Sequence, residues 1–304
     1  MGRTCVRLEC AMPVILFCFS FKGGVGKTSG ALAIASCLSS LYSKKVLLVD
    51  CDPSTNLTAF FQQSIGKEDA FTNTIKDCLT GDVSPEFAIR RFTYMRVPGE
   101  GKERDRYYTN VISPVLEECV ENTPSKNVTR TCILDFLPGD SSIGTLTFDD
   151  NTVLRSMFED LDYDIVILDG PPELLRITLP CLFSSDALVI PTAPISDSIQ
   201  GLSVILNIVD EVRSLGHPLE ILGFYLNMVE NTSTHQAIAS KLREMLKDSG
   251  LLFDAQIKRL ATPEKSRSYG IPPTVYEFYT SPYNSAYVML CNEILARLQE
   301  RGML

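Results

Sequence analysis

Short apolar runs separated by longer amphipathic stretches dominate the hydrophobic pattern of this chain. The apolar runs have the length of buried strands and lie at residues 14–17, 46–49, 165–168, 187–190 and 221–224. Stretches with a helical period lie at residues 27–41, 198–215, 235–248 and 283–301. Because such alternation builds βαβ units, the pattern predicts an α/β fold, with a mostly parallel twisted sheet and helices on both faces. Ligands bind to sheets of this kind at the carboxyl ends of the strands.

The alternation fades between about residues 62 and 130. Within this part, residues 90–108 combine arginines and tyrosines with proline and glycine, which is typical of an exposed surface loop. A contact of this loop with nucleic acid or with another protein is the alternative interpretation. We therefore expect a single domain over residues 1–304, with an insertion at about 62–130.

Composition narrows the class of protein. Hydrophobic residues make up 45% of the 304 residues and charged residues 21%, which excludes disorder throughout the chain. The net charge of −9 argues against an overall basic surface, so any contact with nucleic acid requires a local patch. The cysteines include no CxxC pair and are typical of small apolar residues in a reducing cytosol.

The first apolar stretch bears on cellular location. Arg3 and Arg7 precede residues 11–21 in a way that resembles a secretory signal, but this stretch continues directly into a glycine-rich loop. We interpret it as a buried first strand. No apolar run reaches the roughly 18 residues that a membrane helix needs, so we expect a cytoplasmic protein.

The glycine-rich loop lies between the first predicted strand and the first predicted helix and has the sequence FKGGVGKTS. Glycines allow successive backbone N–H groups to turn toward phosphate oxygens, and the helix N-terminus adds positive potential. Lys27 would reach the terminal phosphates of a nucleotide, and the Thr28 hydroxyl would bind Mg²⁺. A tight turn without a ligand is the alternative. The predicted nucleotide-binding residues of this loop are Lys22, Gly23, Gly24, Val25, Gly26, Lys27, Thr28 and Ser29.

Aspartates follow two other predicted strands. The second strand is followed by DCDPSTN, which contains Asp50 and Asp52, and the third strand by Asp169 in the sequence DGPP. A carboxylate beside the terminal phosphate can orient an attacking water, because phosphoryl transfer depends on positioning and charge stabilisation. Asx turns at the strand ends are the structural alternative for these residues.

The position of Lys22 directly before the glycines, together with the two aspartate motifs, resembles the ParA/MinD family of deviant P-loop ATPases. The resemblance covers about residues 13–61 and 131–300 and does not include the insertion. It implies slow ATP hydrolysis stimulated by a partner, with ATP and Mg²⁺ as cofactors. It also implies an ATP-dependent homodimer in which Lys22 reaches the phosphates bound by the partner subunit.

The resemblance also assigns roles to single residues. It implies catalytic roles for Lys22, Lys27 and Asp52, of which Asp52 would orient the water. It implies a metal site formed by Thr28, Asp50 and Asp169. Asn227 and the backbone around residues 261–263, including Pro263, would border the adenine, and a purely structural role at a strand end is the alternative for Asn227.

ParA relatives bind nonspecific DNA as dimers and position plasmids, chromosomes or other cargo, whereas MinD relatives bind membranes. The last predicted helix carries acidic residues and little apolar bulk, so we expect no stable membrane anchor. Basic residues outnumber acidic ones over residues 241–267, which favours sequence-neutral contacts with DNA phosphates over an ordinary solvated face. The candidates are Lys241, Arg243, Lys247, Lys258, Arg259, Lys265 and Arg267. A ParB-like or other adaptor and a location at the nucleoid follow from the same resemblance.

Other classes with this loop remain as alternatives. Iron–sulfur carriers need paired cysteines at the dimer interface, and the lack of a CxxC pair argues against them. Bacterial tyrosine kinases phosphorylate a tyrosine-rich tail, but we interpret the tyrosines at 276, 279, 283 and 287 as packing residues before a final helix. A MinD-like membrane ATPase, an ATPase acting on a protein client and a scaffold that does not hydrolyse ATP complete the alternatives.

Overall fold

The computed structural model describes residues 12–65, 70–97, 106–112, 130–277 and 281–304. Over these residues, nine strands form one sheet in the order β4-β3-β5-β2-β6-β1-β7-β8-β9. Strand β3 pairs antiparallel with β4 and β5, and the other pairs are parallel. The strands are β1 Val14–Cys18, β2 Val46–Asp50, β3 Arg90–Val97, β4 Arg106–Ile112, β5 Arg130–Leu137, β6 Ile165–Asp169, β7 Ala187–Thr192, β8 Glu220–Val229 and β9 Leu252–Lys258.

Helices cover both faces of the sheet. They are α1 Lys27–Tyr42, α2 Asn56–Ile65, α3 Ile75–Leu79, α4 Pro85–Ala88, α5 Val153–Phe158, α6 Thr178–Ser184, α7 Ser198–Ser214, α8 Ser233–Leu246, α9 Thr262–Tyr269, α10 Pro273–Tyr276 and α11 Pro282–Glu300. Because successive strand residues point to opposite faces, Leu16 of β1 enters the core under α1 and α11, while Ile15 and Phe17 enter the core under α6 and α7. The predicted α/β fold is therefore confirmed.

All five predicted strands and all four predicted helices are present, with ends shifted by a few residues. The prediction of a surface loop over residues 90–108 was wrong, because β3 and the start of β4 lie there. Strand β3 alternates side chains between its faces, so that Phe92 and Tyr94 are buried while Arg91 and Thr93 point to the other side. The arginines gave this segment the composition of a surface loop, so the alternation of its apolar residues was not recognised as a strand.

The insertion therefore contributes two strands to one edge of the sheet, together with α3 and α4. Residues 66–69, 98–105 and 113–129 of the predicted insertion lie outside the described residues. A single domain over residues 1–304 stays a prediction. No helix in the described ranges is both long enough and apolar enough to span a membrane.

Three central strands bring the sequence motifs together. In the paired register, Asp169 at the end of β6 lies beside Cys18 at the end of β1 and beside Asp50 at the end of β2. The glycine-rich loop connects β1 to α1 at these same strand ends. The candidate chemistry therefore lies at the carboxyl ends of β1, β2 and β6, as expected for a parallel sheet.

Candidate functional site

The glycine-rich loop has backbone conformations that its sequence permits. Gly24 and Gly26 have φ values of 77° and 85°, in the left-handed region that glycine adopts without a steric penalty. A Cβ atom on Gly26 would lie 2.4 Å from Nδ2 of Asn227, so the loop also packs too closely for a side chain there. The first turn of α1 carries no acidic residue. Its free N–H groups therefore present an uncompensated positive potential to the loop, which favours an anion.

Lys27 supplies a cation inside the loop. Its side chain is buried, and its Nζ donates a hydrogen bond to the carbonyl oxygen of Lys22 at 3.4 Å. Burial lowers the pKa of Lys27, and the nearby carboxylates of Asp169 and Asp52 oppose this shift. The lysine is held by the backbone of its own loop and can exchange that weak hydrogen bond for a phosphate oxygen.

Asp169 is a buried carboxylate with no hydrogen-bond partner for either oxygen within the described part of the chain. Burial raises its pKa well above the usual value, the charge of Asp50 adds to this shift, and the Thr28 hydroxyl and Lys27 reduce it. An unpartnered buried carboxylate is costly, so a cation at this position would compensate it. Mg²⁺ needs few protein ligands and retains several waters, and Thr28 together with Asp169 fits that requirement.

Asp50 differs from Asp169, because protein groups already bind it. Its Oδ2 accepts hydrogen bonds from the backbone N and the hydroxyl of Thr58 at 2.8 and 2.7 Å, and its Oδ1 accepts one from Asp52 N at 3.2 Å. The Thr58 hydroxyl in turn accepts a hydrogen bond from Gly139 N at 2.8 Å. Burial raises the pKa of Asp50 to about 6. Asp50 thus fastens α2 to the sheet, and its contribution to a metal site stays a prediction.

Asp52 lies where its carboxylate can meet a ligand. Its Oδ1 accepts a hydrogen bond from Ser54 N at 2.8 Å, and the turn closes with Thr55 N donating to the carbonyl oxygen of Asp52 at 2.9 Å. Thr55 has a φ of 52°, so this turn contains a strained residue. The turn presents Asp52 to a cavity that Lys27 and Thr28 also line.

Two cavities adjoin the glycine-rich loop. The loop cavity, of about 550 Å³, is lined by the loop, the segment after β2 and the segment after β6. The flanking cavity, of about 210 Å³, is lined by Gly26 and Ser29 on one side and by Asn227, Pro263, Tyr283 and Tyr287 on others. The loop cavity lies within the range of roughly 300–1,000 Å³ that ligand pockets usually have, and the flanking cavity adds space beside it. The predicted neighbours of the adenine, Asn227 and Pro263, are therefore brought together beside the loop.

Asn227 also has the structural role that was considered from the sequence. Its Nδ2 donates a hydrogen bond to the carbonyl oxygen of Val25 at 2.8 Å, which ties the end of β8 to the glycine-rich loop. The next residue, Met228, has a φ of 54°, and its N–H donates to Oδ1 of Asn227 at 3.0 Å. One side chain thus braces the loop and lines the flanking cavity. The two roles do not exclude each other.

Lys22 does not point into the loop cavity. Its Nζ makes a 2.6 Å ion pair with Oδ2 of Asp197, the residue immediately before α7. Lys22 lines a different small cavity, behind the loop, with Pro191 and Ser198. The predicted contact of Lys22 with phosphates of a partner subunit stays a prediction. The sequence carried no signal for Asp197 as its partner in the free chain.

Known proteins are similar to this chain over the region that contains these motifs. The profile of a family described as an AAA domain matches residues 13–221, which is more than half of the chain. The chromosome-partitioning ATPase Soj of Thermus thermophilus is 29% identical over 282 residues, which cover 92% of this chain and 94% of Soj. The chain belongs to the ParA/MinD family of P-loop proteins. The resemblance inferred from the sequence motifs is therefore confirmed.

Solved structures of other proteins share the fold. A plasmid partition protein from Borrelia burgdorferi bound to AMPPNP has a TM-score of 0.66 at 20% identity, over 95% of this chain and 99% of that protein. Cobyrinic acid a,c-diamide synthase from Mycobacterium smegmatis with bound ADP and magnesium has a TM-score of 0.65 at 20% identity, over 96% of this chain and 97% of the synthase. At this level of identity the likeness establishes the fold alone, since the two proteins have different functions.

The structure divides the basic residues that were predicted to contact DNA. Helix α8 begins after β8, at the carboxyl ends of the strands, which we call the carboxyl edge of the sheet. It ends before β9, at the amino ends of the strands, which we call the amino edge. Lys247 therefore lies near the opposite edge from Lys258, the last residue of β9. The residues on or just after α8 are Lys241, Arg243 and Lys247, and those at the carboxyl edge are Lys258, Arg259, Lys265 and Arg267. Lys258, Arg259 and Arg267 also line the flanking cavity. The seven residues do not form one continuous patch.

Proposed function

We propose that this chain is a ParA-type ATPase whose ATP-bound homodimer binds nonspecific DNA and partitions or positions DNA or another cargo. One observation carries the proposal. Lys27 and Asp52 line the loop cavity, while Lys22, on the same loop, is held outside that cavity by Asp197. A loop with one lysine for its own phosphates and a second lysine directed elsewhere suits a site that is completed by a second copy of the chain.

Binding and hydrolysis divide among the residues of the site. The glycine-rich loop and the N-terminus of α1 bind the phosphates, and Lys27 neutralises the terminal ones. Thr28 and Asp169 would hold Mg²⁺, which would add positive charge beside the phosphates when bound. Asp52 orients the attacking water, and Lys22 of the partner subunit stabilises charge on the leaving phosphates.

The change between monomer and dimer depends on which of the two binds ATP more tightly. Lys22 has to give up its ion pair with Asp197 to reach the partner subunit, and only the γ-phosphate and its neighbours offer a stronger site. Hydrolysis removes that site, so the dimer dissociates. Because the site is complete only in the dimer, turnover is slow until an adaptor protein favours the dimer or the hydrolytic geometry.

DNA binding is the most specific part of the proposal. The relatives' names, which include a chromosome-partitioning ATPase and a plasmid partition protein, support a task in DNA segregation. The candidate phosphate contacts are exposed basic residues on or just after α8 and at the carboxyl edge of the sheet, and two copies in a dimer double their number. They are Lys241, Lys247, Lys258, Arg259 and Lys265. A location at the nucleoid is the consequence of such binding.

The test compares wild type with Lys22→Ala and Asp52→Ala. ATP hydrolysis, dimerisation by light scattering and binding to random-sequence duplex DNA are measured with ATP, with ADP and without nucleotide, at low and moderate salt. Wild type is expected to dimerise and bind DNA only with ATP. Lys22→Ala is expected to bind ATP but to remain monomeric, and Asp52→Ala to dimerise and bind DNA without hydrolysis. A Lys22→Ala variant that dimerises like wild type would overturn the completed-site proposal.

Measuring dimerisation and DNA binding separately tests the two parts of the proposal independently. If the wild-type dimer forms with ATP but binds no DNA at low salt, the DNA part of the proposal fails and the dimer switch stands. Synthetic vesicles containing anionic lipid are the matched alternative surface, since MinD-like behaviour would transfer the ATP-dependent binding to them.

A further inference from the structure

Arg267 lies at the junction of three cavities around the first turn of α1. The loop cavity and the flanking cavity both include it in their lining. A third cavity, between α1, α2 and α9, is lined by Leu32, Phe60, Pro263 and again Arg267. Ser29, the third residue of α1, is the other residue that lines all three. Arg267, on α9, and Ser29, on α1, therefore border a common space.

The order of the cavities defines what would occupy this space. The loop cavity contains Lys27 and Thr28, which are suited to the terminal phosphates and their metal. The flanking cavity contains Asn227 and Pro263, next to which the base is expected. A nucleotide that spans the two cavities has its ribose and α-phosphate between them, beside Ser29.

Arg267 has the chemistry for a phosphate and is available to bind one. It is exposed, and no carboxylate of the described ranges forms an ion pair with it, whereas Arg259 on the same side is paired with Glu230 at 2.9 Å. A planar guanidinium presents two parallel donors to phosphate oxygens. Its position beside the nucleotide cavities is a different environment from that of Lys241 on α8, with which the sequence grouped it.

The helix that carries Arg267 is held on both sides. Gln63 of α2 donates a hydrogen bond to the carbonyl oxygen of Ser268 at 2.9 Å, and the Ser64 hydroxyl donates to the carbonyl oxygen of Gly270. Gly270 has a φ of 61° and ends α9, and its N–H donates to the carbonyl oxygen of Arg267 at 3.1 Å. A Cβ atom on Gly270 would lie 2.9 Å from the Ser64 hydroxyl. Arg267 thus stands on an element tied to α2, the helix that follows Asp52.

We propose that Arg267 is a nucleotide-binding residue that contacts the α-phosphate of ATP and ADP from the side opposite the glycine-rich loop, and that it is not a DNA contact. The inference rests on the nucleotide site of the proposed function and adds a residue to it. Because the α-phosphate is common to both nucleotides, Arg267 contributes equally to the affinity for ATP and for ADP. Through α9 and α2, the same contact links an occupied site to the segment that carries Asp52.

The experiment measures ADP and ATP affinity by fluorescence competition for wild type, Arg267→Gln, Arg267→Lys and the control Lys265→Gln. Lys265 is an exposed cation two residues earlier on α9 that lines none of the three cavities. Arg267→Gln is expected to weaken both nucleotides by at least about tenfold, the usual size of a lost charge-assisted hydrogen bond. Arg267→Lys is expected to recover part of the loss, and Lys265→Gln to bind both nucleotides as tightly as wild type does. Thermal unfolding without nucleotide verifies that each variant folds.

Binding to random duplex DNA at saturating ATP is the second readout. The expectation for Arg267→Gln is DNA affinity equal to that of wild type once the nucleotide site is filled. Nucleotide affinities within twofold of wild type, with DNA binding reduced instead, would overturn the inference and return Arg267 to the DNA surface. A loss for ATP alone would also overturn it, because the contact would then be to the γ-phosphate. If wild type itself binds no nucleotide, the proposed function fails first, so the two failures are distinguishable.

Discussion

Gly30 of α1 shows how closely single residues are packed beside the site. A Cβ atom on Gly30 would lie 2.2 Å from the hydroxyl oxygen of Tyr225 and 3.7 Å from that of Tyr287. Both tyrosines are fully buried, and burial together with their neighbours raises the pKa of each well above the usual value. Tyr287 also lines the flanking cavity, so the glycine allows the start of α1 to rest on the tyrosines that border it.

Gly30→Ala is therefore expected to destabilise the protein although alanine is the better helix former. The added methyl group has no space, because the ring of Tyr225 cannot move within a filled core, and the expected loss in the free energy of unfolding is about 1–3 kcal/mol. Gly201→Ala in α7 is the matched control, since a Cβ atom there meets nothing within 4 Å. The control is expected to leave stability unchanged or to raise it by roughly 0.5–1 kcal/mol. Urea unfolding measures both, and equal effects would contradict the packing argument.

At the scale of elements, the antiparallel pair β3 and β4 was missing from the sequence prediction. The reason is local, since Arg90, Arg91 and Arg96 give the segment the composition of a surface loop. In the structure Arg91 binds Asp135, a buried residue of strand β5. The Nε and Nη2 atoms of Arg91 donate hydrogen bonds to the two carboxylate oxygens of Asp135 at 2.8 and 2.7 Å. The Tyr163 hydroxyl donates to the same carboxylate at 2.8 Å. A charged residue that is satisfied across strands cannot be distinguished from a solvated one by composition.

Asp135→Ala is expected to loosen this edge of the sheet. It leaves the Arg91 guanidinium and the Tyr163 hydroxyl without their acceptor. Because Arg91 is 47% exposed, we expect the free energy of unfolding to fall by about 2 kcal/mol, less than the roughly 3–5 kcal/mol for a fully buried pair. Asp162→Asn is the control, because its ion pair with Lys45 is 59% and 69% exposed, and its effect is expected to stay within about 0.5 kcal/mol. The measurement is urea unfolding of the two variants beside wild type. Equal losses in both variants would show that Asp135 carries no special weight.

At the scale of the whole molecule, contiguous motifs were predictable and dispersed ones were not. The glycine-rich loop, Asp52 and Asp169 meet because they follow three neighbouring parallel strands, and a strand pattern contains that information. Lys247 and Lys258 are close in sequence but lie at opposite edges of the sheet, because β9 has 7 residues and spans about 20 Å between them. Asp197 and Arg267 come to the loop from α7 and α9 through the fold alone. No local pattern marks either residue as a neighbour of the loop.

The same fold concentrates negative charge where a ligand is expected, and this charge lowers the stability of the protein when no cation compensates it. Asp169 is buried beside Asp50 and has no hydrogen-bond partner in the described ranges. Replacing it with asparagine removes a buried charge and retains the shape of the side chain. We expect Asp169→Asn to raise the free energy of unfolding in EDTA by about 1–3 kcal/mol.

The nucleotide response is expected to change in the opposite direction. In wild type, Mg²⁺ together with ATP should raise the unfolding temperature more than ATP in EDTA does, because binding to the native state stabilises it. Asp169→Asn should retain the response to ATP in EDTA and lose the additional response to Mg²⁺. Differential scanning fluorimetry in the four conditions, with and without ATP and Mg²⁺, separates the two effects. A variant less stable than wild type in EDTA, yet with the full Mg²⁺ response, would mean that Asp169 packs the strand end and leaves the metal to other groups.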